Sequence, residues 1–112
     1  MRFDRELLKG NTPTVVLAIL ADGPLHGYSI AKEMRRRSGE TLTLGQGVLY
    51  PILHRLEARG LIRGEWEPRT GTPSRKRYAI TPAGRAELRK RRNEWAAFSD
   101  VMAKVLAEDV RR

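Results

Sequence analysis

The stretch Gly47-Val-Leu-Tyr-Pro-Ile-Leu-His-Arg-Leu-Glu57 decides how the rest of this 112-residue chain is read. Leu49, Ile52, Leu53 and Leu56 recur at i, i+3, i+4 and i+7, the spacing that lines one face of an α-helix with apolar groups. Gln46, Tyr50, His54 and Arg55 fall outside that stripe, so the side turned away from a core carries hydrogen-bonding and cationic groups. Thr43 and Gln46 have the spacing of a capping box, which predicts a helix over 43–59 closed by Gly60. Pro51 removes a backbone hydrogen bond from that helix, so either its regular part starts near Gly47 or it bends at the proline. Gly45 and Gly47 leave the backbone open to close approach from outside.

Toward the N-terminus, Phe3, Leu7 and Leu8 predict a short amphipathic helix that ends at a Gly10-Asn11 break. Thr12 suits an N-cap and Pro13 a first helical turn, and Val16, Ile19 and Leu20 then share a core face until Asp22-Gly23-Pro24. The segment Gly27 to Arg37 places Ile30, Ala31 and Met34 on one stripe, with Arg35 to Arg37 in a last turn favoured by the helix dipole and Ser38-Gly39 ending it.

Beyond Gly60, residues 61–67 and 76–81 read as two strands, Ile62 alternating with Trp66 and Tyr78 with Ile80. The connection 68–75 is rich in Gly, Pro, Thr and Ser, which makes it the long basic tip of a hairpin. Thr81-Pro82 repeats the cap-and-proline signal and opens a helix over about 82–108. Along it Leu88, Trp95, Phe98, Met102 and Val105 form a coiled-coil-like seam, which needs a partner surface.

Composition narrows the function. Lys and Arg number 22 against 13 Asp and Glu, a formal charge of +9 that favours polyanions. The longest uncharged apolar run, Val15 to Ala21, is too short to cross a bilayer, and the start of the chain lacks a signal-peptide pattern; a cytoplasmic location with no membrane partner is expected. There are no cysteines, and neither His26 nor His54 has companions at metal-ligand spacing. No Ser, His and Asp set appears, and Gly45-Gln-Gly47 is too short for a nucleotide loop. No enzyme activity, cofactor or metal is expected.

Helices followed by a two-stranded hairpin give a mainly α fold, a winged helix-turn-helix over about 10–81, in which the third helix enters a DNA groove and the wing lies along the backbone. Candidate DNA contacts are Thr43, Gln46, Gly47, Tyr50, His54 and Arg55 around the helix, and Arg69, Arg75, Lys76 and Arg77 on the wing. Tyr50 equally suits a half-buried packing role, and Gln46 equally suits a helix cap. The runs Arg35 to Arg37 and Arg89 to Arg92 suit solvated faces.

The run from Gly47 to Glu57 resembles the recognition helix of PadR-like transcriptional regulators. Leu25-His-Gly-Tyr-Ser-Ile30 resembles the start of that family's second helix, and Ser74-Arg-Lys-Arg-Tyr-Ala-Ile-Thr-Pro-Ala-Gly84 its wing strand and last-helix opening. Val48 departs from the pattern, standing where the family usually has Thr or Ser able to bond a phosphate. The resemblance implies a short-tailed regulator whose first and last helices form a homodimer on double-stranded DNA. It also implies a repressor of an inverted repeat, and a small hydrophobic or planar effector bordered by Trp95, Phe98 and Met102. The alternatives are a non-specific binder of RNA or the nucleoid, and a winged-helix docking module, since fold alone does not fix function.

Overall fold

The computed structural model describes residues 3–72 and 75–110, with side chains described as far as residue 107. The element order is α1 (Arg5–Leu20), β1 (Leu25–His26), α2 (Gly27–Arg37), α3 (Gln46–Ala58), β2 (Ile62–Glu67), β3 (Arg75–Ile80) and α4 (Pro82–Val110). Three strands form one antiparallel sheet in the order β1-β3-β2.

The expected break at Gly10-Asn11 is absent, and one helix runs through it. Asp4 caps this helix by accepting from the Glu6 amide at 2.8 Å. Asn11 and Thr12, expected at a boundary, instead donate their side chains to the carbonyls of Leu7 and Leu8 at 2.7 and 2.6 Å. Pro13 therefore sits inside the helix, where it removes a single N–H donor.

Val16, Leu17, Ile19 and Leu20 of α1 meet Ile30 and Met34 of α2, the Leu49, Ile52, Leu53 and Leu56 stripe of α3, Ile62 and Tyr78 of the sheet, and Leu88 of α4. The stripe read from the sequence is thus the buried side of α3. The capping box is not formed: Gly45 is the N-cap, no side chain bonds the first turn, and regular helix starts at Gln46 with Pro51 inside it.

Gly60 ends α3 with φ +73, the left-handed conformation that glycine adopts without a Cβ clash. The Leu61 amide donates to the Leu56 carbonyl and the Gly60 amide to that of Glu57, both at 2.9 Å, a Schellman closure with Leu56 and Leu61 both buried. The same turn anchors α4. Thr81 donates its hydroxyl to the Gly60 carbonyl at 2.7 Å and its amide to the Leu61 carbonyl at 3.1 Å, while its hydroxyl oxygen accepts from the Gly84 amide at 3.0 Å. A Cβ at Gly84 would collide with the Leu61 carbonyl oxygen, so glycine lets α4 start against this turn.

The sheet departs from the expected hairpin in two ways. A two-residue strand, β1, adds an edge, pairing Leu25 with Tyr78 and His26 with Arg77. Trp66 alternates with Ile62 as expected but is not packed: exposure rises from 2% at Ile62 to 67% at Trp66, because the core covers only the near end of the strand.

Candidate nucleic-acid interface

At 3.6 residues per turn, burying Leu49, Ile52, Leu53 and Leu56 directs Gly47, Pro51, His54 and Ala58 to the opposite side of α3. All four outward positions are exposed. Val48 and Arg55 flank this line on one side, both exposed, and Tyr50 flanks it on the other. A side chain at Gly47 would meet no other atom, so nothing inside the molecule requires glycine there. Thr43 and Gln46 are exposed at the entrance to the helix.

Tyr50 is half-buried, its ring packed against the core cluster. Its hydroxyl lies over Gly27 at the start of α2, where an added Cβ would stand 2.7 Å away. The lack of a side chain at Gly27 thus makes room for the tyrosine that steadies this flank of α3. His26, the residue before it, stacks on the exposed Tyr28 ring, with centroids 6.3 Å apart.

The wing's three consecutive cations do not point the same way, because residues alternate across a strand. Lys76 shares the inner, α3-facing side of β3 with the buried Tyr78, whereas Arg75 and Arg77 lie on the outer side. The Lys76 ammonium donates to Glu57 of α3 at 2.9 Å and lies over the rings of Trp66 and Tyr78 at 5.8 and 5.5 Å. It keeps the Glu57 carboxyl below the ordinary carboxylate range, assisted by the Gly64 amide, which donates to Glu57 at 3.3 Å. Lys76 is in consequence a strut between wing and helix.

On the outer side, Glu67 is shared. His26 Nε2 lies 3.1 Å from it, Arg77 Nη1 3.5 Å and Arg75 Nε 3.9 Å. The His26 hydrogen bond, followed by the attraction of Arg77, lowers the Glu67 carboxyl from its usual value. Arg75 and Arg77 remain partly exposed, and Arg69 is exposed beyond the end of β2. The acidic partners Glu57 and Glu67 carried no sequence signal, because only tertiary contact sets them against the cations.

Seam residues of α4 lie far from α3 along the chain and stand in solvent: Trp95 is 53%, Phe98 57% and Met102 39% exposed. An apolar cleft of about 390 Å³ between α1 and α4 is bordered by Phe3, Leu7, Val15, Leu88 and Trp95. Phe98 borders a more polar neighbouring hollow together with Trp95, and Met102 borders neither. Arg91, steadied by donating to Glu87 of the same helix at 2.7 Å, links α4 to α1 by donating to Thr14 at 3.4 Å. Among the described residues, no group of three or more His, Cys, Asp or Glu side chains is set to hold a metal ion, and no helix is long and apolar enough to cross a membrane.

These elements define a winged helix-turn-helix with a long C-terminal helix. Residues 16–90 match the model of the transcriptional regulator PadR-like family, and the chain belongs to that family of transcriptional regulators. It is 38% identical over 84 residues to a transcriptional regulator of Mycobacterium tuberculosis, covering 75% of each chain. It is 42% identical over 85 residues to an uncharacterized 37.1 kDa transposon protein of Streptomyces fradiae, covering 76% of this chain but 23% of that protein. The fold is similar to a transcriptional regulator from Clostridium thermocellum, with a TM-score of 0.82, 29% identity, and 88% and 96% of the two chains covered. It is also similar to Bacillus subtilis PadR in complex with operator DNA, with a TM-score of 0.65, 25% identity, and 70% and 45% covered.

Proposed function

We propose that this protein is a cytoplasmic repressor that reads an inverted repeat of double-stranded DNA as a homodimer. The observation that carries the proposal is the opposition of the two sides of α3: its apolar stripe is buried, while Gly47, Pro51, His54 and Arg55 face solvent. A helix held from one side can enter a major groove with the other. A net charge of +9 favours the duplex, and the family likeness to a PadR bound to operator DNA supports the partner. Thr43, Gln46, Tyr50, His54 and Arg55 contact bases or nearby phosphates, and Arg69, Arg75 and Arg77 supply phosphate contacts from the wing.

The exposed seam of α4 and the apolar side of α1 form the contact between protomers, placing two α3 helices on half-sites about 10 base pairs apart centre to centre. A planar hydrophobic effector fits the α1/α4 cleft beside Trp95, where binding would alter the dimer and release the operator.

The test is to recover bound fragments from genomic DNA with the purified protein and to footprint the enriched ones. Two protected half-sites in inverted orientation are expected, and fragments sharing no motif would contradict sequence-specific regulation. Arg75→Ala should weaken every duplex alike and flatten the salt dependence, because a phosphate contact releases counterions without choosing a base.

A further inference from the structure

Among the described residues Trp66 is the most exposed of the large hydrophobic side chains, at 67%, and it lies on the wing, away from the apolar surfaces of α1 and α4. Strand alternation puts it on the inner side of the sheet, with Ile62 and Gly64, and pairs it in register with Lys76. Gly64 and Lys76 both reach Glu57 of α3, so Trp66 stands at the outer lip of the channel between wing and helix. The ammonium of Lys76 lies over its ring and favours one placement of the indole.

Charge at this lip is already balanced. Lys76 is taken up by Glu57, and Arg75 and Arg77 point to the other side of the sheet near Glu67. On its wing side, a DNA strand passing between α3 and the wing therefore meets an aromatic surface before it meets a free cation. Indole suits that position, since its flat face packs against deoxyribose and its N–H donates to a phosphate oxygen.

We infer that Trp66 is a further DNA-contacting residue, packing against the sugar-phosphate backbone of the strand that runs between α3 and the wing. The inference rests on the DNA-binding role proposed above and adds a neutral contact to its cationic ones. Because the indole displaces no counterions, it contributes affinity that does not depend steeply on salt. Arg69, exposed three residues further along the wing, is a cation close in sequence to the indole, a setting that matches a nucleic-acid backbone better than an apolar protein surface.

The experiment compares the parent with Trp66→Ala and Trp66→Phe, titrating a fluorescein-labelled duplex recovered by the genomic selection and following its anisotropy at several salt concentrations. Trp66→Ala should bind about tenfold more weakly with the salt slope unchanged, and Trp66→Phe should fall between it and the parent. Unlabelled duplex should quench the indole emission of the parent. The Trp66→Phe protein, which retains Trp95 as its single tryptophan, should lack that quench. Circular dichroism checks that both variants keep the parental fold; should Trp66→Ala lose it, the comparison of parent with Trp66→Phe decides alone. Parental affinity in both variants, or a quench as deep in Trp66→Phe as in the parent, would overturn the contact while leaving the DNA-binding role intact. No anisotropy change with the parent at low salt would overturn both.

Discussion

Helix α3 and the outer half of α4 carry similar numbers of large apolar residues and treat them in opposite ways. In α3, Leu49, Ile52, Leu53 and Leu56 are all buried, and solvent meets the side that carries Gly47, Pro51, His54 and Arg55. In α4, Leu88 is buried, but Trp95, Phe98, Val101, Met102, Val105 and Leu106 are exposed along the next turns. A helix whose apolar stripe is already satisfied can offer its other side to a polar partner. One whose stripe is open calls for a second apolar surface. The two halves are joined at the turn where Gly60, Leu61, Thr81 and Gly84 interlock, so the placement of one helix constrains the other.

Breaking each side of this contrast should give different losses. Leu53→Ala empties a fully buried position and should cost about 2 to 5 kcal/mol, read by urea unfolding. Phe98→Glu, at an exposed position, should leave the protomer folded but weaken self-association by about 100-fold or more, read by sedimentation, with duplex affinity falling in step. The joint itself is probed by Gly84→Ala, whose Cβ must displace the Leu61 carbonyl or α4; a loss of about 1 to 3 kcal/mol in the same unfolding assay is expected.

Within the α3 half, finer differences separate Arg77, half-exposed and only loosely paired with Glu67, from Lys76, held against Glu57 on the inner side of the wing. Arg77→Ala should lower the log–log salt slope of duplex binding by about 1, whereas Lys76→Met should leave it nearly unchanged. The strut can be followed by pH as well. Because Lys76 lowers the Glu57 carboxyl in the folded state, its stabilisation is complete above the unfolded value of about 4.3 and is lost as pH falls through the lower folded value. Glu57→Gln should thus be less stable than the parent by about 0.5 to 1 kcal/mol at neutral pH and converge with it in acid, as measured by urea titrations across that range.

Long periodic stretches were legible in the sequence. The α3 stripe, the bounds of α2 and both wing strands follow from spacing and punctuation, since burial on one face leaves a pattern. What escaped was set by contacts between distant residues or by side chains bonding backward. Gly10-Asn11-Thr12-Pro13 carries every mark of a boundary, yet Asn11 and Thr12 use their polar groups to bond carbonyls one turn back and the helix continues. Thr43 and Gln46 have capping spacing, but the helix begins at Gln46 itself, too late for Thr43 to cap it. β1 is two residues long, too short for any alternation to register. For the candidate interface, the exposure of Gly47, His54 and Arg55 could be read from their place outside the stripe, whereas Pro51 and Ala58 were not named and Tyr50 is half-buried against the core. The division of Arg75, Lys76 and Arg77 between two sides of the wing depends on register and on Glu57 and Glu67, which only the folded chain brings near.

Under the proposed function, the outward side of α3 chooses among DNA sequences while the cations supply general affinity. The most direct test is the ratio of dissociation constants for a selected duplex and a scrambled duplex of the same length, measured over a range of salt. A ratio of about a thousand or more that persists as both affinities fall with added salt is expected. A ratio near one at every salt concentration would contradict that division of roles, leaving a basic protein that holds DNA without reading it.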